Sequence, residues 1–144
     1  MFEVRELFEV RAAKAFAKQQ ADAPAWESLR LIEKEHRHLL ARIKTRYHDF
    51  SDLDERFHRL VSDASRNRFI ADFHDVISLI FHYHYQWNKR YEKERNIAAI
   101  HEHLAYIEAL QSRDRSAATA GCRSHMTTAR LTLMDSIRHF ESRI

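Results

Sequence analysis

Asp54 and His58 stand four residues apart in the run DLDERFHRLVSD, within a stretch that has helical apolar spacing. At 3.6 residues per turn both side chains leave the same side of a helix, so a carboxylate and an imidazole can converge on one ion. Two further histidines lie in apolar stripes. His103 belongs with Ile100, Leu104 and Ile107, and His125 with Cys122, Met126, Ala129 and Leu133, so both point inward. One carboxylate and three imidazoles suit zinc, nickel, iron or manganese, and leave coordination positions open for water or a ligand. Spacing does not select these four alone, because His36 shares a stripe with Leu29, Ile32, Leu40 and Ile43, and His84 follows Ile77, Ile80 and Phe81 inward. A single inward histidine is more often a hydrogen-bonded core residue than a ligand.

Two other chemistries compete for the same residues. Glu33 with His36, and Glu55 with His58, have the Glu-x-x-His spacing of ferritin-like di-iron carboxylate enzymes. Such a site needs further carboxylates on the same core, and Glu102, next to His103, points about 100° away from it on a helix. The His48-Asp49 and His74-Asp75 doublets fit a metal-dependent phosphohydrolase but lack a set of partner ligands. No nucleophile or general base falls beside the four candidate ligands, so the chain reads as a binding protein and not an enzyme. A helical interaction module with incidental histidines is the remaining alternative.

Helices must carry these side chains. With one Gly and one Pro in 144 residues, the chain lacks the turn residues that a many-stranded sheet requires. Apolar residues recur at three- and four-residue intervals from Phe2 to about Gln19, from Pro24 to about Tyr47, and from Leu53 to Ala64 with Ser51 or Asp52 as cap. Three more stripes follow: Arg68 to about Trp87, strongly apolar and expected to be central; Ile100 to Leu110; and Ala117 to Ile137 beyond the polar turn QSRD. The segment Asn88 to Arg95 breaks the pattern. The prediction is an all-α, single-domain antiparallel bundle of about six or seven helices over residues 1–144.

Several function classes drop out. The net charge of +3 is spread among alternating basic and acidic residues, so no basic stripe would track a phosphate backbone. A single cysteine, Cys122, rules out an internal disulfide framework. No run of about 18 apolar residues could span a bilayer, and the charged opening MFEVRELFEVR has no signal-peptide core, so the expectation is a cytoplasmic protein without a membrane partner.

In order along the chain, EVRELFEVRAAKAFA, DERFHRLVSDASRN, EHLAYIEALQSRD and CRSHM resemble the motifs of the FCD domain, the ligand-binding domain of the FadR subfamily of GntR transcription regulators. In the metal-binding branch of that family, the resemblance assigns the ligands to Asp54, His58, His103 and His125, with zinc or nickel as the first choices of ion. It implies a small organic acid effector, commonly a carboxylate, beside the metal. Arg5 matches a position that faces the effector cavity, the alternative being an exposed pair with Glu9. Asn67 matches a structural Asn that caps the long fourth helix. Arg113 stands where the family usually has Gly, so the turn before Asp114 must form without a residue tolerant of positive φ. The family's N-terminal winged helix-turn-helix is expected to lie outside this chain, which would perform the sensing half of a regulator that acts as a homodimer and reaches DNA only through that other domain.

Overall fold

The computed structural model describes residues 2–43, 45, 49–87 and 92–142, with side chains described outside 81–87, 92, 136, 139 and 140. His48 and the side chain of His84 therefore lie outside the described residues. Six helices form: α1 (Phe2–Ala17), α2 (Pro24–Ile43), α3 (Ser51–Asp63), α4 (Arg68–Trp87), α5 (Glu92–Gln111) and α6 (Arg115–Glu141). No strand occurs among the described residues. The all-α antiparallel bundle expected from the stripes is the observed architecture.

Local chemistry sets the helix ends. Pro24 opens α2, where its missing N–H costs nothing and its fixed φ favours the first turn. The Asn67 side chain accepts from the Phe69 N–H at 3.0 Å and caps α4 as expected. Asp114 caps α6, its Oδ2 accepting from the Ala117 N–H at 3.2 Å. Neither Ser51 nor Asp52 caps α3; the cap position is Phe50, which makes no side-chain cap bond. Asp49 Oδ1 instead accepts from the Ser51 N–H at 2.9 Å, which turns the chain one residue earlier. The α5–α6 turn does use a positive φ, and Arg113 itself adopts it at 60°. The left-handed conformation costs a non-glycine residue about 1–2 kcal/mol. The Arg113 side chain supplies compensation by donating to the Gln19 carbonyl at 3.2 Å and lying over the Trp26 ring.

Packing differs from the stripes at two helices. The central helix is α5, with Ile100, His103, Tyr106, Ile107 and Leu110 all buried, and it is flanked by α2 and α6. The expectation for α4 is corrected: Phe69 is 80% and Leu79 69% exposed, and Ile70, His74 and Ile77 carry its buried side. A strongly apolar stripe reads as central from sequence, yet α4 covers one flank of the bundle. In α1 the expected stripe is also turned. Leu7 is 70% exposed, whereas Arg5 and Glu9 face inward with Ala12, Ala13 and Phe16.

Close contact between α5 and α6 depends on Gly121. A Cβ built there would meet the Ala109 Cβ at 2.8 Å and Tyr106 Cδ2 at 3.3 Å. Alanine at a helix interior gains about 1 kcal/mol in propensity, while overpacking of a tight core costs about 1–3 kcal/mol. Gly121→Ala is therefore expected to lower stability in urea unfolding by on the order of 1 kcal/mol. A gain in stability in that experiment would mean that the two helices are not tightly seated.

Candidate metal centre

Three helices bring four side chains to one point. Leu53, Phe57 and Val61 fix the buried face of α3, which leaves Asp54 and His58 one turn apart at its edge. His103 projects from the middle of α5 against the Phe57 ring, with centroids 4.8 Å apart. His125 lies one turn beyond Gly121 on α6, stacked on His58 at 5.0 Å between ring centroids. His58 is 3% exposed, His103 0% and His125 6%.

The Nε2 atoms and one carboxylate oxygen form the centre of this group. His125 Nε2 is 3.1 Å from His58 Nε2, and Asp54 Oδ1 is 3.2 Å from His103 Nε2 and 3.5 Å from His58 Nε2. Among the described residues, His58, His103 and His125 form the group of metal-capable side chains, their ligand atoms all within 4.8 Å of one another. Donors about 2.1 Å from a shared ion lie about 3.0 Å apart at right angles and about 3.4 Å apart at tetrahedral angles. The observed separations match those edges. His103 Nε2 is also buried without a hydrogen-bond partner, which leaves an imidazole donor aimed at the centre. Residue types, distances and the orphaned nitrogen all fit one divalent ion. Asp54 keeps 40% of its side-chain exposure, so the group opens toward its own side of the bundle.

A second ring of polar groups faces the outer nitrogens. Glu9 Oε2 is 3.8 Å from His58 Nδ1, Glu102 Oε1 is 3.7 Å from His125 Nδ1, and His36 Nε2 is 2.9 Å from His103 Nδ1. His36 thus joins the group as a neighbour of a candidate ligand, while Glu9 and Glu102 were absent from the sequence-based set. Arg5 pairs with Glu9 at 3.5 Å as its spacing allows, but the pair is buried, which sets aside the exposed pair given as the alternative to effector contact. A void of about 10 Å³, roughly one water, lies between Arg5, Glu9, Ser62 and His74. The larger surface groove of about 680 Å³ is lined by Leu31, Glu35, His38 and Arg56, and none of the clustered residues reach it.

The alternative constellations are not assembled. Glu33 pairs with Arg37 and accepts from Gln111, and Glu55 pairs with Arg59, so both carboxylates of the Glu-x-x-His spacings turn away from the histidines. Asp75 of the His74-Asp75 doublet pairs with Arg59 at the surface.

Charges in the cluster are strongly coupled. Burial alone would raise Glu9, but the charge of His58, with Arg5 and His74, brings it down to about 2. Burial likewise opposes ionisation of Asp54, and the charge of His58 beside it holds its carboxyl well below the usual range. Burial would depress His58, yet Asp54 and Glu9 on either side raise it to about 9. For His103, His125, His36 and His74 burial prevails and pushes each down. At neutral pH the metal-free cluster therefore holds one imidazolium, His58, between two carboxylates.

Residues 1–128 match the family model of the FCD domain. The chain is 35% identical over 137 residues to the "Probable HTH-type transcriptional regulator LgoR" of Escherichia coli strain K12, covering 95% of this chain and 45% of that protein. The chain thus spans about half the length of the curated relative that it matches. A solved structure, the metal-free FCD domain of TM0439, superposes with a TM-score of 0.74 at 22% identity, covering 96% of this chain and 91% of that one.

The signs of these shifts set the pH profile of the metal-free protein. His58, raised in the fold, contributes stability that is complete below about pH 6.5 and is lost as pH rises through about 9. His36, His74, His103 and His125, lowered in the fold, contribute stability that is present above about pH 6.5 and is lost as pH falls. With chelator present, the melting temperature is expected to peak near pH 6.5–7 and to decline toward pH 9. The decline on the alkaline side should be absent in His58→Gln, and its persistence there would assign it to another group.

Proposed function

The chain belongs to the FCD domain family, and from that membership we propose that it is the effector-sensing part of a GntR/FadR-type transcription regulator that binds one divalent transition metal and a small organic acid. The observation that carries the metal reading is the buried group of His58, His103 and His125, whose ligand atoms lie within 4.8 Å of one another, with Asp54 Oδ1 at 3.2 Å from His103 Nε2 and 3.5 Å from His58 Nε2 beside it. Asp54, His58, His103 and His125 are its ligands in this proposal. Zinc and nickel suit three imidazoles and a carboxylate, and iron or manganese remains compatible with the same donors. When bound, the ion supplies a Lewis acid for a carboxylate oxygen.

Arg5 is the proposed anchor for the other end of the acid. Its guanidinium is suited to bidentate carboxylate binding and already faces the Glu9 carboxylate inside the bundle. The void beside it has room for roughly one water, so an entering acid must displace the Glu9 carboxylate from Arg5. The effector thus competes with a built-in anion. DNA binding belongs to a winged helix-turn-helix outside this sequence, in keeping with the greater length of the matched relative, and the regulator acts as a homodimer in the cytoplasm. No helix of the described residues is long and apolar enough to cross a membrane.

Elemental analysis after dialysis without chelator tests the metal. About one transition metal per chain is expected in the wild type, and almost none in the Asp54→Ala/His58→Ala double variant. Equal metal content in the two, or none in the wild type after zinc or nickel is supplied, rejects the ligand set. For the effector, organic acids are screened by thermal shift on metal-loaded protein. An acid at 100 times its dissociation constant stabilises the fold by about 2.7 kcal/mol. That shift should shrink in Arg5→Lys, which keeps the charge but loses the planar fork; an undiminished shift removes Arg5 from the site.

A further inference from the structure

We propose that His36 is a positioning residue for the metal, accepting the outer N–H of His103 and so holding the inner nitrogen of that ring as a lone-pair donor aimed at the ion. The inference rests on the metal reading above and extends it to a residue outside the ligand set.

The argument follows from hydrogen-bond polarity. His36 Nδ1 is 2.7 Å from the Ile32 carbonyl, one turn back on α2. A carbonyl only accepts, so His36 Nδ1 carries the proton and donates. In neutral His36 the other nitrogen, Nε2, is then an acceptor. That atom lies 2.9 Å from His103 Nδ1, which must supply the hydrogen. With its proton on Nδ1, His103 presents a bare Nε2 to Asp54 Oδ1 3.2 Å away, and two acceptors face each other across the centre. A cation between them resolves that opposition. The chain Ile32 carbonyl, His36, His103 thus fixes the tautomer that a metal requires before any metal arrives.

His36 is suited to this role in two further respects. Its ring is fully buried and held edge-on by Phe50 and Phe57, so it cannot turn away from His103. The outer nitrogens of His58 and His125 face carboxylates at 3.8 and 3.7 Å, beyond hydrogen-bond length, so the His36–His103 contact is the short one of the three.

The test uses wild type, His36→Gln, His36→Asn and His36→Leu, with zinc alone as the probe and affinity read by competition with a chromophoric chelator. A glutamine places its amide oxygen near the position of Nε2, where it can accept from His103, whereas asparagine reaches only the position of Nδ1. Loss of an outer-shell partner typically weakens binding about 10–100-fold. His36→Leu and His36→Asn are expected to fall in that range, with His36→Gln closer to wild type. The Co2+ absorption bands should shift in the same order, which a purely structural role of His36 would not produce. Circular dichroism of the metal-free variants establishes folding. If His36→Leu does not fold without metal, the Gln and Asn pair decides, because the two share chemistry and differ in reach. Wild-type zinc affinity in folded His36→Leu, or equal affinities for Gln and Asn, overturns the proposal. Absence of zinc binding by the wild type instead overturns the metal reading on which it rests.

Discussion

Burial of charge and imidazole in the middle of a small helical bundle is the constraint on which the rest of this structure depends. Arg5, Glu9, His36, His58, His74, His103 and His125 are each nine-tenths or more buried. A buried polar group without a partner costs about 1–3 kcal/mol, and a charged one more. Hydrophobic packing cannot offset many such groups in a domain of this size, since net stability is only about 5–15 kcal/mol. The cluster offsets this cost only in part, by a sequence of contacts in which Arg5 meets Glu9, Glu9 faces His58, His58 meets Asp54 and His125, and Asp54 faces His103, while Glu9 Oε2, His58 Nδ1 and His103 Nε2 keep no hydrogen-bond partner.

That sequence runs through four helices, which is why the helices must sit where they do. Gly121 allows α6 to close on Tyr106 and Ala109 of α5, and His125 follows one turn later. The Phe57 ring packs against both the His36 and the His103 ring and so ties α3 to α2 and α5. The apolar core and the polar cluster are interleaved, so ring packing fixes nitrogen positions to within hydrogen-bond tolerance. A site built on helix interiors in this way keeps its geometry better than one built on loops.

Most of the architecture could be read from sequence because helical spacing reports on burial wherever burial is apolar. The six stripes follow from it, whereas the Asn67 cap and the set of His58, His103 and His125 came from the family resemblance, because spacing left His36 and His84 equally inward. The same rule fails where polar residues are the ones buried. In α1 the period points to Leu7, yet Leu7 is exposed and the inward face carries Arg5 and Glu9. The i, i+4 spacing of Arg5 and Glu9, continued by Ala12, Ala13 and Phe16, was the available signal, and it is visible only once charged residues are admitted to a core face. In α4 the error was the reverse: a strongly apolar stripe from Phe69 to Phe81 suggested a central helix, while Phe69, Val76 and Leu79 lie exposed on a flank. His36 looked like one inward histidine among several, since only the fold brings α2 beside the middle of α5. Local rules break at the site itself, as expected where binding and packing ask for different residues.

The protonation of His58 connects the metal-free and metal-bound cores. Without an ion, the imidazolium of His58 is the positive charge that separates Asp54 from Glu9, and its raised pKa of about 9 measures how strongly the two carboxylates hold that proton. A metal bound through Nε2 requires that nitrogen to be deprotonated, so binding releases protons and is paid for by their affinity. In the proposed metal-bound state the ion would restore the lost charge at the same centre, and Asp54 would keep a cationic neighbour in both states. Glu9 does not, because its contact is with the outer nitrogen of His58, one ring farther from the ion. Its remaining buried cation is Arg5 on its own helix. In the proposed metal-bound state the balance at the Arg5–Glu9 pair would shift, at the point where a carboxylate effector would compete. α1, which carries that pair, packs against α3, α4, α5 and α6 and touches α2 through Phe16 and Trp26.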